Sequence, residues 1–366
     1  MHLSFLSKYT LITALSAVSI LWAEPGAEVI ANGLNNPRGI AISPDGDLYV
    51  AEAGTGGTGA CIPTSDGTSP CFGTTGSITR IDLRKKTQER VVTGLPSLAA
   101  PDGSEALGPH GISFQGKGNG FITLGLASNP ALRGALGPLG ATMASEARVS
   151  PNGSWTPTAN IGNFEIANNP AGGTVDSNPF GITAIAGKQI IADAGGNDLL
   201  EVSANGDVRL LAVFPAQLAL APPFLGLPPG TRIPAQAVPT TVVQGPDGAY
   251  YVGQLTGFPF EPGLAKVYRV PAEGGTPTVA FSGFTNIISI AFGPDGALYV
   301  LQISKNGLLG GNPQGALYKV LNGVKTELAA GQLFLPGGMA IANDGTIYVT
   351  NWAVLAGGGQ VLRITQ

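Results

Sequence analysis

Apolar and polar residues alternate along this chain in short runs, and one phrase of that alternation returns with small variations. It reads PRGIAISPDGDLYVAEA at residues 37–53, TTVVQGPDGAYYVGQL at 240–255, ISIAFGPDGALYVLQI at 288–303 and GGMAIANDGTIYVTNW at 337–352. Each copy is a run of β-branched and aliphatic residues, an Asp-Gly turn, and a second such run containing an aromatic-Val pair, a pattern that predicts a β-hairpin. The turn glycines Gly248, Gly296 and Gly345 lie 48 and 49 residues apart, the spacing of four-stranded propeller blades.

Two degenerate copies, GPHGISFQGKGNGFITLGL at 108–126 and NPFGITAIAGKQIIADAG at 178–195, bring the number of repeats to six. Third and fourth strands follow the hairpins, as in GSITRIDL with ERVVTGL, NDLLEVS with DVRLLAVF, AKVYRV with TVAFSGF, and ALYKVL with KTELAAGQL. The last unit has GQVLRIT but no fourth strand, whereas AEVIANGLNNP at 27–37 has fourth-strand character and precedes the first hairpin. The N-terminal strand is therefore expected to complete the last blade, which gives an all-β, six-bladed β-propeller with no open edge. Three insertions interrupt the regular spacing: a cysteine-bearing one after the first hairpin, a stretch at 128–175 that reads as irregular, and a Pro-rich excursion at 215–239.

Composition adds constraints on partners. With 55 Gly and 29 Pro spread through a chain that is 43% hydrophobic, many turns are indicated rather than disorder. The balance of 19 Lys+Arg against 23 Asp+Glu, a net charge of −4, argues against nucleic acid as a partner. Lys8, an apolar stretch at 11–23 and then Glu24-Pro25 form the layout of a secretory signal peptide, with cleavage near Ala23. An uncleaved anchor is the alternative. The signal reading assigns 1–23 to the signal and 24–366 to a single propeller domain, a periplasmic or extracellular monomer with no membrane span after cleavage. Cys61 and Cys71, close together in ACIPTSDGTSPC, are expected to form one disulfide in such a compartment.

In a propeller the innermost strands begin beside a central channel, so equivalent positions there form a ring. The alignment places Arg38, His110, Phe180, Thr240, Ile288 and Gly337 in it. No Asp, Glu or Asn stands in that ring for a hard cation, and His110 is the one histidine beyond the leader, so no metal and no cofactor are expected. A second, polar ring comes from the ends of the second strands, with Glu52, Gly125, Asp193, Gln254, Gln302 and Asn351. These side chains either cap backbone groups of neighbouring loops or contact a ligand, in which case Arg38, His110 and Glu52 are the catalytic candidates and His110 a general acid or base. No Gly-x-Ser-x-Gly elbow accompanies them, and the glycines of GTGGTG at 54–59 read as loop glycines rather than a phosphate cradle. An enzyme is the weaker reading. Two loops are further binding candidates: NFEIANNPAGGTVDSNPF at 163–180, which contains Asn178 and Phe180, and LTGFPFEP at 255–262, which presents Phe258 and Phe260.

The runs VPTTVVQGPDGAYYVGQLTGFPFEPGLAKVYRV, NNPAGGTVDSNPFGI and LGPHGISF resemble the ScyD/ScyE family of exported bacterial propellers. The resemblance extends from about residue 34 to 364. It implies a six-bladed, TolB- or NHL-like propeller outside the cytoplasm and, for the founding members, association with assembly of the aromatic indole–phenol pigment scytonemin. Family catalytic residues are not established, so none is carried over. One departure is Ala171 in NNPAGG, where an acidic residue is expected. The functional expectation is a propeller that binds a small molecule, aromatic compounds among the candidates, or a protein partner at one face. The alternative is a lactonase-like hydrolase or another metal-free enzyme, and a purely structural interaction module of the NHL kind is the third class.

Overall fold

The Asp-Gly hairpins form where the alternating pattern puts them, and each is the inner half of a four-stranded antiparallel sheet. A computed structural model describes residues 26–116, 120–150 and 152–365, so the expected signal segment at 1–23 lies outside the described residues. Blade 1 comprises Pro37–Ile42, Leu48–Glu52, Cys71–Asp82 and Thr87–Ala99. Blade 2 comprises Pro109–Phe114, Gly120–Leu124, Ser145–Val149 and Trp155–Ala159. Blade 3 is Pro179–Ile185, Lys188–Asp193, Asp198–Ser203 and Val208–Val213, and blade 4 is Pro239–Gln244, Tyr250–Gln254, Ala265–Val270 and Thr278–Phe284. Blade 5 is Ile287–Phe292, Leu298–Gln302, Ala316–Leu321 and Val324–Leu328. Blade 6 takes Gly338–Ile341, Ile347–Asn351 and Gly359–Ile364, and its outermost strand is Ala27–Leu34 from the other end of the chain.

This last pairing closes the ring as expected. Ala27 lies opposite Ile364 and Leu34 opposite Gly359, and the Thr365 N–H donates to the Gly26 carbonyl at 3.0 Å. Leu34 and Ala31 are buried by the pairing.

Both faces of each sheet are covered by its neighbours, so both halves of the strand alternation are apolar. In blade 3, Ile191, Leu200 and Val202 pack towards blade 2, while Ile190, Ala192 and Leu199 pack towards blade 4. One hydrophobic cluster of this kind fills each of the interfaces between consecutive blades, including that between blades 6 and 1. At the axis the inner strands meet backbone to backbone. A Cβ on Gly39, Gly111, Gly181 or Gly338 would lie 2.6, 2.5, 2.8 or 2.6 Å from a carbonyl oxygen of the adjacent inner strand, which only glycine tolerates.

The stretch at 128–175 is more regular than its sequence suggests. It contains the two outer strands of blade 2, disguised by a glutamate at a core position and by Pro157 on the outermost strand, where a missing N–H is tolerated. It also contains a helix, Ile161–Asn168, whose Asn160 side chain accepts from the Asn163 N–H at 2.8 Å. The Pro-rich excursion is a separate hairpin of Gln217–Leu220 and Arg232–Ala235. Cys61 and Cys71 form the expected disulfide. Among the described residues no helix is long and apolar enough to cross a membrane.

Candidate functional site

Antiparallel pairing brings the start of each inner strand beside the end of the second strand: Pro37 pairs with Glu52, Pro179 with Asp193, Pro239 with Gln254, and Ile287 with Gln302. The connections that leave second strands and those that enter inner strands therefore share one face, while the Asp-Gly turns occupy the other. The cysteine-bearing insertion, the Pro-rich hairpin and the segments that flank the two outer strands of blade 2 fall on the first face, which is where the candidate site lies.

Five of the six residues assigned to the inner ring line a cavity of about 110 Å³ on the axis: His110, Phe180, Thr240, Ile288 and Gly337. The imidazole of His110 is buried against Phe180, with ring centroids 4.5 Å apart. Neither of its nitrogens makes a well-formed hydrogen bond, although the Pro179 and Ala106 carbonyls are close. Burial, reinforced by the nearby Arg38 cation, holds its pKa well below the usual imidazole value. Both causes favour the uncharged form of this imidazole. Arg38 is buried too, donating from Nη2 to the Ala106 carbonyl at 2.8 Å while Nε has no partner. Burial lowers its pKa to about 10, partly offset by Glu105, and it remains a cation at neutral pH.

Glu52 does not join Arg38 and His110. Its carboxylate receives Arg90 Nε at 3.0 Å and Nη2 at 2.8 Å, Ser77 Oγ at 3.1 Å, the Thr79 hydroxyl, and the Asn35 N–H at 2.6 Å. The other polar ends are engaged in a related way. Asp193 accepts from the Asn178 N–H at 2.6 Å, Gln302 from the Thr285 N–H at 3.0 Å, and Asn351 from the Phe334 N–H at 2.7 Å. Each holds the backbone that leads into its own blade, a duty that buried N–H groups require of some partner. Gln254 instead bridges the Gln217 side chain at 3.0 Å and the Ala237 carbonyl at 3.2 Å. In blade 2 the residue opposite Pro109 is Leu124, one position before Gly125. The space a Gly125 side chain would need is filled by the His110 ring and Asn178 Oδ1, which also accepts from the Leu126 N–H at 3.2 Å.

Aromatic surface stands outside this ring. Phe258 and Phe260 lie edge to face at 6.5 Å, and Phe258 meets Phe224 from the Pro-rich hairpin at 6.2 Å. Phe224 is 69% exposed and Phe258 40%. The Leu220 N–H donates to Glu261 at 2.7 Å, fastening the hairpin to the 255–262 loop. Phe334 and Trp352, which sequence reasoning did not single out, stack at 5.1 Å with planes 6° apart, both half-buried on the same face.

An acidic group was also missed. Glu165 on the helix and Asp198 at the start of the third strand of blade 3 are buried, and none of their four carboxyl oxygens has a hydrogen-bond partner among the described residues. Burial, then the Asp193 charge, raises Glu165 to about 7, and the same two causes push Asp198 well above the carboxylate range. Asp193 rises to about 6, through burial above all. The signal was present in the register, since Asp193 and Asp198 pair directly across adjacent strands, where like charges repel. Among the described residues no three His, Cys, Asp or Glu side chains are arranged as metal ligands.

No protein-family model and no curated protein matches the chain. Among solved structures it is similar to a streptogramin B lyase, with a TM-score of 0.52 and 14% identity over 95% of this chain and 100% of that one. It is similar also to the PQQ-bound aldose sugar dehydrogenase of Streptomyces coelicolor, with a TM-score of 0.53 and 13% identity over 93% of this chain and 98% of that one. Likeness at such identity speaks for the fold. The class is that of the six-bladed β-propellers, as the alternating pattern predicts.

Proposed function

We propose that this chain is an exported propeller of the ScyD/ScyE kind, and that its loop-bearing face binds a small aromatic molecule. The observation that carries the reading is the run of three edge-to-face rings on that face, Phe224 and Phe258 exposed and Phe260 half-buried beside them. Rings exposed in this way add aromatic contact energy to area burial when a planar ligand covers them. The stacked Phe334 and Trp352 extend the aromatic character across the same face. Export is supported by the Cys61–Cys71 disulfide, a bond that persists in oxidising compartments. The resemblance directs the choice of ligand to indolic and phenolic compounds. A catalyst built on Arg38, His110 and Glu52 has less support, because Glu52 is committed to Arg90.

The test is calorimetry with a panel of indoles and phenols on the full chain and on a Phe224→Ala, Phe258→Ala, Phe260→Ala triple variant. The expected result is affinity weakened by about tenfold or more in the variant, with its melting temperature changed little. Equal affinity of the two proteins would remove these rings from the site.

A further inference from the structure

One position breaks the repeat in the core. The residue paired with the second strand just before its polar end is Ile78 in blade 1, Leu199 in blade 3, Val267 in blade 4, Leu317 in blade 5 and Val361 in blade 6. All five are aliphatic, fully buried and turned towards the next blade. In blade 2 the equivalent residue, opposite Thr123, is Glu146, and it too is fully buried. Its Oε1 accepts from the Thr158 hydroxyl at 2.7 Å, whereas Oε2 has no partner. A carboxyl placed where five blades carry a hydrocarbon weakens the interface with blade 3, and such breaks in local consistency gather at functional positions.

Glu146 is among the residues that line a cavity of about 220 Å³ between blades 2 and 3, with Gln115, Phe121, Arg148 and Gln189. Arg148 is two residues along the same strand and so on the same face, about 7 Å away between Cα atoms. It is exposed, and no hydrogen bond or ion pair from the described residues engages it. A carboxyl with one unpartnered oxygen inside and an unpartnered guanidinium at the rim present opposite charges in a fixed order, with the Phe121 ring as a wall.

We infer that this cavity is a binding site for a small zwitterionic amino acid, whose ammonium group meets Glu146 and whose carboxylate meets Arg148. The ammonium replaces the missing donor to Oε2, and the carboxylate forms the planar, charge-assisted contact that arginine favours. The site is separate from the aromatic face and does not rest on the function proposed for it. Burial holds the Glu146 carboxyl up at about 7, with the Thr158 hydroxyl opposing the rise, and Arg148 is the other ionisable side chain among the described lining residues. Because the ammonium needs the ionised carboxylate, affinity falls as pH falls through about 7.

The test uses the full chain with glycine, β-alanine and 4-aminobutyrate, and with methylammonium and acetate as the separate halves, in thermal-shift and calorimetric titrations. At least one amino acid is expected to raise the melting temperature and bind more tightly than either half. Glu146→Gln, which keeps the shape, should weaken it by about tenfold or more, and Arg148→Met should weaken the amino acid but not methylammonium. Glu146→Leu, which restores the residue type of the other blades, should melt higher than the wild type and bind nothing. Absence of binding by all three amino acids, binding no tighter than methylammonium alone, or affinity unchanged in Glu146→Gln would each overturn the assignment.

Discussion

Glu165 and Asp198 are placed so that both cannot be charged, and the consequence is a definite pH dependence. A carboxyl held at about 7 in the fold but near 4 in the unfolded chain keeps a proton that the unfolded chain has already lost. The fold binds more protons between those values, so its stability falls as pH rises from about 4 to about 7 and is level above. Glu146 at about 7 and Asp193 at about 6 act in the same direction. Glu165→Gln removes one of these costs, and it is expected to raise the melting temperature by a few degrees near pH 8 while changing it little near pH 4.5. A larger effect at the acidic end would contradict this account of the pair. The inner ring was legible in the sequence because His110, Phe180, Thr240 and Ile288 occupy matching places in one repeated phrase. The commitment of Glu52 was not, since Arg90 comes from the outer strand of the blade, 38 residues further on.

Among the elements, the strand Ala27–Leu34 matters most to closure. It covers Gly359–Ile364, which would otherwise present an unpaired edge, and it buries Leu34, a side chain worth about 2 kcal/mol on its own. Deletion of residues 28–34 is expected to lower the melting temperature markedly and to cause concentration-dependent association through the bared edge; an unchanged melt and a monomer in light scattering would refute the closure role. This strand was readable from its apolar pattern and from the missing partner in the last unit. The outer strands of blade 2 were not, because Glu146 and Pro157 hide the alternation. The helix Ile161–Asn168 escaped for another reason: its buried Ile161, Gly162 and Glu165 include a glycine and an acid that no hydrophobic periodicity reveals. The glycines that follow Arg38, His110 and Phe180 carried a signal that went unused, for they mark where inner strands touch.

Across the whole molecule, blade is stacked on blade and every blade has two neighbours, so no point of the ring is a structural beginning. A circular permutant that joins residue 365 to 26 through a short linker and opens the chain at the exposed Gly323 turn of blade 5 is expected to fold to the same propeller, with one cooperative melt near that of the parent. Failure to fold, or two separated transitions, would show that the order of the chain matters beyond its contacts. The contact between Gly26 and Thr365 joins residues 339 apart in sequence. Among the described strands, the one that finishes the ring is thus made before the rest and stays unmatched until the last of them supplies its partner. Until the two meet, the described strands form an open arc with two unpaired sides, each a template for another strand.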